Sequence, residues 1–400
     1  MESTVDRTGA IRNIPVLAPP LSSTPRLHVH DALFVLHPGY GDASNVLFSL
    51  PCVDLIHSPT SPSRSHGVHH RTVLVAAQIV ANNAFHGWLA LDRQGAQRVS
   101  TPLDDVLTGA KYFFIVPDDD LYPVVPSFQD WRFPHDDLPG CWPVVGRAEI
   151  VQAAHCVITR FPWSLDRAHI VPAAQTSWFD RNGMSRYGTG VCPNIDDDIN
   201  RLWLRRDLHT STFDAFWFTF VPKPAIADAD GDSSTATTSA AQIYTLHVLV
   251  ADHPLFPQLY HDIQLPHLRG VAREYLFARF AQAVFIRVKP FISAKKRRRI
   301  ARFVANDDKE EVVREELDGD TLFQRYSAGR TRSASPTKRK RGGEDTPIST
   351  TLQDEDWSLS VTDSDVDVDN GSRGRKRRRT WEGDPADEIT YRPVSPYSVN

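Results

Sequence analysis

Two stretches carry most of the information in this 400-residue chain, DRAHIVP at Asp166–Pro172 and NRLWLRRDLHTSTFD at Asn200–Asp214. In the first, AHIV has the apolar and β-branched residues of a strand, which the proline then ends. In the second, RLWL places Leu202 and Leu204 on one face, as in a half-buried strand. Asp207 is a suitable N-cap for a short helix that follows. The pattern predicts a strand, a long loop, a second strand and a helix.

Three polar side chains recur within this pattern: His169 in the first predicted strand, Asn200 before the second, and His209 in the helix. Hydrolysis of a phosphodiester needs an activated water, a neutralised phosphate charge and a stabilised leaving oxygen. A neutral imidazole, with an ordinary pKa near 6.5, can act as the base at neutral pH, and a divalent metal can act as a Lewis acid. A single histidine in a strand is more often a core residue, so the hypothesis depends on all three side chains converging.

Together with CVIT at 156–159 and WFDRNGMSRY at 178–187, these residues resemble the HNH endonuclease family, the ββα-metal nucleases. The segment looks closest to a variant found in fungal proteins. The resemblance implies that His169 is the general base, that Asn200 orients its ring by a hydrogen bond, and that His209 binds one divalent metal ion. The motif does not distinguish Mg, Mn, Zn or Ni.

The segment departs from the family pattern at the metal site. The family commonly has an acidic metal ligand directly before the first histidine, where this chain has Ala168, and the nearest acid is Asp166. Side chains three residues apart on a regular strand point to opposite faces. We therefore expect Asp166 to join the site only if the strand begins after it or a bulge intervenes. Asp198 and Asp214 are the alternatives, and without any carboxylate the domain would be a degenerate nuclease.

Other polar residues of the segment have both a functional and a structural interpretation. The acidic run IDDDIN at Ile195–Asn200 is typical of a solvated turn. Cys156 and Cys192 are expected to pack in the core, since the four ligands of a zinc site are not apparent. Three basic residues could contact phosphates, although a solvated charged face is equally consistent with them: Arg205, Arg206 and Lys223.

The flanking regions predict an α+β protein. Residues 1–24 are rich in Ser, Thr and Pro and predict a disordered arm, and 25–145 contain short apolar runs that predict a β-rich region. Within that region, TVLVAAQIV at 72–80 could instead be a helix, because a brief apolar run does not separate the two.

The nuclease-like module is expected at 150–223, and a linker of small polar residues at 225–242. A strand and an amphipathic helix then complete the fold at 243–305. The helix is expected over Leu268–Val288, with Pro290 beyond its end.

Residues 306–400 predict a disordered charged tail, because apolar residues are sparse and charges occur in blocks. Its basic clusters are interpreted as nuclear import signals, and so is KKRRR at 295–299, although phosphate contacts or solvated charge blocks are alternatives. An import receptor is therefore an expected partner. The clusters of the tail are Lys338, Arg339, Lys340 and Arg341, followed by Arg375, Lys376, Arg377, Arg378 and Arg379.

Composition restricts the possible functions. A net charge of −4 excludes a uniformly basic nucleic-acid binder, and four separated cysteines exclude a disulfide scaffold. We expect an intracellular, nuclear protein without a membrane span. The leading hypothesis is metal-dependent hydrolysis of nucleic acid, most naturally DNA. One alternative is a non-catalytic nuclear binding or interaction protein on a degenerate HNH scaffold, and another is that the N-terminal region recognises a partner.

Overall fold

The structure, a computed structural model, describes residues 31–56, 66–146, 154–190, 193–225, 241–253, 255–266, 268–306 and 309–327. All of them lie within one compact unit, Met1–Pro336. The expected arm at 1–24, most of the expected linker at 225–242 and the two basic clusters of the tail lie outside the described residues.

Strands and helices alternate irregularly along the described part of the chain. The α-helices are α1 His70–Val80, α2 Thr176–Arg181, α3 Leu255–Tyr260, α4 Arg273–Ser293 and α5 Gly319–Ser327. The strands are β1 Ala32–Leu36, β2 Val46–Pro51, β3 Asp54–Leu55, β4 His66–His69, β5 Trp88–Ala90, β6 Val106–Leu107, β7 Lys111–Ile115, β8 Leu165–His169, β9 Arg201–Arg205, β10 Phe218–Pro224, β11 Gln242–Val248, β12 Arg298–Asn306 and β13 Lys309–Leu317.

The strands form small sheets rather than one large one. A four-stranded sheet has the order β2-β1-β7-β5, in which only β1 and β7 are parallel, and a three-stranded sheet has the order β3-β4-β6. The pairs β8–β9, β10–β11 and β12–β13 are antiparallel. Mixed strands and helices of this kind confirm the predicted α+β class.

The run at 72–80 is helical, so of the two structures that its sequence allowed, the helix is correct and the strand is wrong. Helix α1 buries residues on all sides, among them Val73, Ala77 and Val80. A helix buried all round has no polar stripe. That absence explains why the sequence pattern could not separate it from a strand.

Helix α4 is the central element of the fold, and it differs from the expected helix in two ways. It packs against α1, β2, β10 and α5, and it is buried on most sides instead of being amphipathic. It also continues past Pro290. A proline inside a helix removes one backbone hydrogen bond, but the burial of Phe291 and Ile292 after it stabilises the end of the helix. Neither α4 nor any other helix of the described part is long and apolar enough to cross a bilayer.

The expectation of a disordered tail from residue 306 is wrong for residues 309–327. These residues form β13 and α5, and β13 pairs along its whole length with β12. The basic run at 295–299 also has a structural role, because Arg298 is buried with its guanidinium 3.7 Å from the ring centre of Phe291 and 4.4 Å from that of Tyr40. Charged residues dominate the sequence of β13, so it does not resemble a strand, and its pairing with β12 depends on the tertiary fold.

Candidate active site

The β8–β9 ladder sets the direction of every candidate side chain. Ala168 lies opposite Leu202, and His169 lies opposite Arg201, with no shift in register. Ala168 and Leu202 face the core, so His169 and Arg201 point to the other face. Asp166, two residues before Ala168, points to the same face as Ala168. It lies at the end of the ladder that is followed by the helix after β9.

A wide helical turn follows β9 and holds His209. Leu208–Phe213 is a π-helix, in which the Asp214 N–H donates to the His209 carbonyl at 2.9 Å. Buried Leu208 and Phe213 anchor this turn to the core. The predicted N-cap role of Asp207 is wrong, because its side chain caps no N–H and instead accepts hydrogen bonds from Arg205. The predicted strand, strand and helix are otherwise all present.

His169 is paired with a carboxylate that the sequence patterns did not select. Its Nε2 lies 2.9 Å from Oδ1 of Asp196, and Nη2 of Arg201 lies 2.6 Å from the same oxygen. The 2.9 Å contact with the Asp196 carboxylate favours a hydrogen on Nε2, although Nε of Arg201 also approaches that nitrogen, at 3.3 Å. In that tautomer the lone pair of the neutral ring is on Nδ1. His169 is a quarter exposed, so a water could reach it.

The environment keeps Asp196 ionised. Hydrogen bonds from His169 and then from Arg201 hold the pKa of the Asp196 carboxyl below its usual value. The run IDDDIN is a turn whose Asp196 is 60 % exposed, as expected, and Asp196 in addition binds His169. The other two have structural tasks: Asp197 caps the turn by accepting from the Ile199 N–H, and Asp198 pairs with Arg167.

Asn200 acts on the backbone and not on the imidazole of His169. Its side chain is fully buried, its Oδ1 accepts from the Val171 N–H at 2.9 Å, and its Nδ2 donates to the carbonyls of Val171 and Ile195 at 3.0 and 2.7 Å. Both amide hydrogens and the carbonyl oxygen are therefore used. The expected bond to the His169 ring is wrong, because Asn200 instead fixes the chain just after His169.

His209 lies between two carboxylates. Its Nδ1 is 3.4 Å from Oδ2 of Asp166, and its Nε2 is 3.5 Å from Oδ1 of Asp214. The expectation that Asp166 needs a bulge or a later strand start is wrong. β8 includes Asp166 in regular register, and the π-helix brings His209 to the face on which Asp166 already lies.

The spacing around His209 fits a shared cation. The 3.4 Å contact with Asp166 is a long hydrogen bond, and two ligand atoms about 2.1 Å from one tetrahedral ion would also lie about 3.4 Å apart. An ion at either ring nitrogen would leave the other N–H to donate to the second carboxylate. Asp166 also contacts Arg206. Burial acts to raise the pKa of Asp166, but hydrogen bonds from Arg206 and His209 outweigh it and lower that pKa.

The structure arranges the predicted residues as two separate groups, and no contact among the described residues brings His169, Asn200 and His209 together. One contains His169, Asp196 and Arg201, and the other contains His209 with its two carboxylates. Among the described residues, no hydrogen bond or ion pair joins His169 to His209. Within the same part of the chain, His209 and its carboxylates do not bring three ligand atoms within 4.8 Å of one another.

The three basic residues predicted to contact phosphates have different surroundings. Arg206 is 70 % exposed and paired with Asp166, while Arg205 is mostly covered and paired with Asp207. The prediction for Lys223 is wrong. Its ammonium group is buried and hydrogen-bonds to Asp54 and Asp262, so no phosphate can reach it.

The same buried lysine adjoins a second cluster, in which Asp54, His247 and His261 bring their ligand atoms within 4.8 Å of one another. The Val248 N–H donates to Nδ1 of His261 at 3.1 Å, so Nε2 of that ring carries the hydrogen and donates to Asp54 at 3.0 Å. A protonated ring nitrogen has no lone pair for a metal. We interpret Asp54 and His261 as part of a buried network of charges and hydrogen bonds, while both ring nitrogens of the buried His247 lack a hydrogen-bond partner.

Comparison with known proteins agrees with this geometry. No curated protein and no solved structure matches the chain. A family model does match it, over the segment that contains the ladder, the π-helix and both groups of polar side chains. Residues 156–221 match the family described as HNH endonuclease.

Proposed function

We propose that this protein is a metal-dependent endonuclease that hydrolyses phosphodiester bonds of nucleic acid, with DNA as the expected substrate. The observation that carries the proposal is the pairing of His169 with Asp196 within a segment that matches the HNH endonuclease family. A partly exposed histidine with a carboxylate on one ring nitrogen is suited to act as a general base through the other.

The side chains divide the chemistry between them. Nδ1 of His169 would take a proton from the attacking water, and Asp196 would stabilise the imidazolium that forms. Asn200 would keep the strand end in place through Val171. Arg206, exposed at the edge of the site, would contact a phosphate.

His209 with Asp166 is the pair that would hold the ion, with Asp214 on the opposite side of the ring. A divalent ion there would polarise the phosphate and stabilise the leaving oxygen. Two protein ligands leave positions on the ion for water and phosphate. Ala168, where the family commonly has an acid, is buried and contributes no ligand.

A second candidate is a non-catalytic nucleic-acid-binding protein that retains the HNH scaffold. The observation that favours it is the missing acid at Ala168, together with the pairing of nearby arginines with aspartates, as in Arg167–Asp198 and Arg205–Asp207. Such pairing reduces the positive charge available to phosphates.

A plasmid-nicking assay separates the two candidates. The full chain should nick supercoiled DNA with Mg²⁺, Mn²⁺ or Zn²⁺ and not in EDTA, and His169→Ala should abolish nicking. His86→Ala, an exposed histidine far from the segment in sequence, is the matched control and should retain activity. Nicking that survives His169→Ala overturns the catalytic assignment, and metal-independent DNA binding without nicking favours the second candidate.

We further propose that the protein acts in the nucleus and is imported by a receptor that binds its basic clusters. A fluorescent fusion of the full chain should accumulate in nuclei. Replacement of Arg375–Arg379 and Lys338–Arg341 by alanine should redistribute it. An unchanged distribution would contradict this assignment without affecting the nuclease proposal.

A further inference from the structure

The most exposed tryptophan of the described residues lies on the loop that leads into β8. Trp163 is 71 % exposed, and the next most exposed tryptophan in that part of the chain, Trp203, is 36 % exposed. Tryptophan is on average a strongly buried residue, and it is enriched among the residues that dominate binding surfaces. The chemistry proposed so far assigns no role to the Trp163 ring.

The loop that presents Trp163 is held by backbone hydrogen bonds at both ends. The Cys156 N–H donates to the Phe161 carbonyl at 3.0 Å, and the Arg206 N–H donates to the Ser164 carbonyl at 2.8 Å. The Phe161 ring packs edge-on against Trp163, with ring centres 5.5 Å apart. The exposed ring therefore stands on a fixed support, so that little conformational freedom is lost when a ligand binds to it.

The backbone on both sides of the exposed segment is in an unfavourable conformation. Arg160 has φ of +60° and Ser164 has φ of +55°, in the left-handed region that favours glycine. Strained residues persist where the surrounding structure holds them, and they are found at ligand sites. Here the two strained residues bracket 161–163, of which Pro162 and Trp163 are exposed.

The loop lies beside the group proposed to hold the metal ion. Asp166, whose Oδ2 is 3.4 Å from Nδ1 of His209, is only three residues after Trp163. The Cα atoms of Trp163 and Asp166 are therefore at most about 11 Å apart. The hydrogen bond from Arg206 to Ser164 also joins the loop to the chain that leads into the π-helix. A ligand on the Trp163 ring would thus lie next to the His209 group.

The charges near the ring favour a nucleic acid as this ligand. Arg206 is 70 % exposed, and the nearby Asp166 is already paired with it. Arg160, three residues before Trp163, forms no ion pair with any other described residue. Arginines near an exposed aromatic ring suit a polymer that presents phosphates and bases together, whereas a protein or membrane partner would use a wider apolar surface.

We propose that Trp163 stacks on an unpaired base of the substrate, next to the phosphate on which the His209 group acts. The proposal rests on the proposed function and deepens it. It implies that cleavage occurs where a strand is single or locally unstacked, because only there is the face of a base accessible. Every base has a π-face, so this contact would add affinity without sequence preference.

Binding of a fluorescent single-stranded DNA oligonucleotide of mixed sequence tests this proposal. The full chain is used in EDTA, so that nothing is cleaved, and the comparison ligand is an abasic oligonucleotide of the same length and charge. Because stacking of one base is worth about 1–3 kcal/mol, Trp163→Ala should weaken binding of the normal oligonucleotide about 5- to 150-fold. The same change should leave binding of the abasic one unaltered. Leu91→Ala, which removes an apolar side chain 56 % exposed outside the matched segment, is the control and should alter neither.

Two further variants separate stacking from general apolar contact. Trp163→Tyr keeps an aromatic face and should retain most of the affinity for the normal oligonucleotide. Trp163→Leu keeps an apolar side chain without that face and should lose nearly as much affinity as Trp163→Ala. Because the side chain is largely exposed, the urea midpoints of all three variants should stay close to that of the wild type.

Any of three results overturns the stacking proposal: normal DNA bound by Trp163→Ala as tightly as by the wild type, an equal loss for abasic DNA, or Trp163→Leu as effective as Trp163→Tyr. A wild type that binds neither oligonucleotide overturns it too. If metal-dependent plasmid nicking persists in these cases, the proposed function stands, and a protein or membrane partner becomes the better explanation of the exposed ring. Base-dependent binding through Trp163 without nicking would contradict the proposed function and support the stacking proposal.

Discussion

Oδ1 of Asp196 lies 2.9 Å from Nε2 of His169, although the two residues are 27 positions apart in the chain. The contact favours a hydrogen on Nε2 and places a negative charge beside the imidazolium that would form on proton transfer. Arg201 holds the same oxygen, so the carboxylate is kept in place from two sides.

Asp196→Asn should reduce the nicking rate about 10- to 100-fold, the usual effect of losing a partner that orients a histidine. The asparagine keeps the shape but removes the charge that stabilises the imidazolium. Asp198→Asn is the matched control, because Asp198 lies two residues away and pairs only with Arg167 among the contacts described here. Equal rates for the two variants would show that Asp196 does not assist His169.

Asn200→Ala should destabilise the fold as well as abolish activity. The change leaves the N–H and carbonyl of Val171 and the carbonyl of Ile195 without their partner in a buried position. An unsatisfied buried polar group costs about 1–3 kcal/mol, so the free energy of unfolding should fall by at least about 2 kcal/mol. Urea denaturation measures this, and unchanged stability would rule out the backbone role.

The order of the elements around the site could be predicted because it depends on local patterns. The alternation in RLWL predicts β9 whatever the rest of the chain does, whereas β8 ends at His169 and not at Pro172 as the pattern AHIVP predicted. His209 could be placed on a helical turn for the same reason.

The partners of these residues could not be predicted, because they depend on the tertiary fold. Asp196 belongs to an acidic run that resembles a solvated turn, and only the folded loop brings it to His169. Lys223 resembles a surface cation, yet Asp54, 169 residues away, is its buried partner. The expectation that Asp166 and His169 point to opposite faces of the strand was correct. The π-helix, however, determines which of those faces His209 approaches.

His209→Ala and Asp166→Asn should each raise the metal concentration that nicking requires. Removing either member of the pair leaves one protein ligand on the Nδ1 side of the site, so the metal concentration for half-maximal nicking should rise about 10- to 100-fold. Asp214→Asn tests the other side of the ring, since Nε2 of His209 lies 3.5 Å from that carboxylate. If only Asp214→Asn raises the metal requirement, the ion binds at Nε2. Metal titrations unchanged in all three variants would contradict a metal role for His209.

Acidification should destabilise the protein through its buried neutral histidines. Burial lowers the pKa of His69 to about 4 and that of His37 to about 3. An unfolded histidine titrates near about 6.5, so the unfolded state binds more protons below that pH and the folded state loses stability as the pH falls from about 6.5 towards 4. The urea midpoint should therefore fall over this interval. His69→Gln and His37→Gln should each flatten the slope, and a midpoint independent of pH from 7 to 4 would contradict the assignment.

Lys223→Met should be strongly destabilising, since it leaves Asp54 buried without its cation. Burial alone would raise the pKa of Asp54, but the charge of Lys223 and a hydrogen bond from His261 hold it well below its usual value. Loss of one partner of a buried ion pair typically costs about 3–5 kcal/mol. The double variant Lys223→Met with Asp54→Leu removes both charges and should recover much of that loss, because uncompensated charge, not lost packing, causes it. Asp54 also accepts the His69 N–H at 2.7 Å, so recovery should be incomplete. Urea denaturation of the two variants and the wild type measures the difference, and a double variant no more stable than the single one would contradict this explanation.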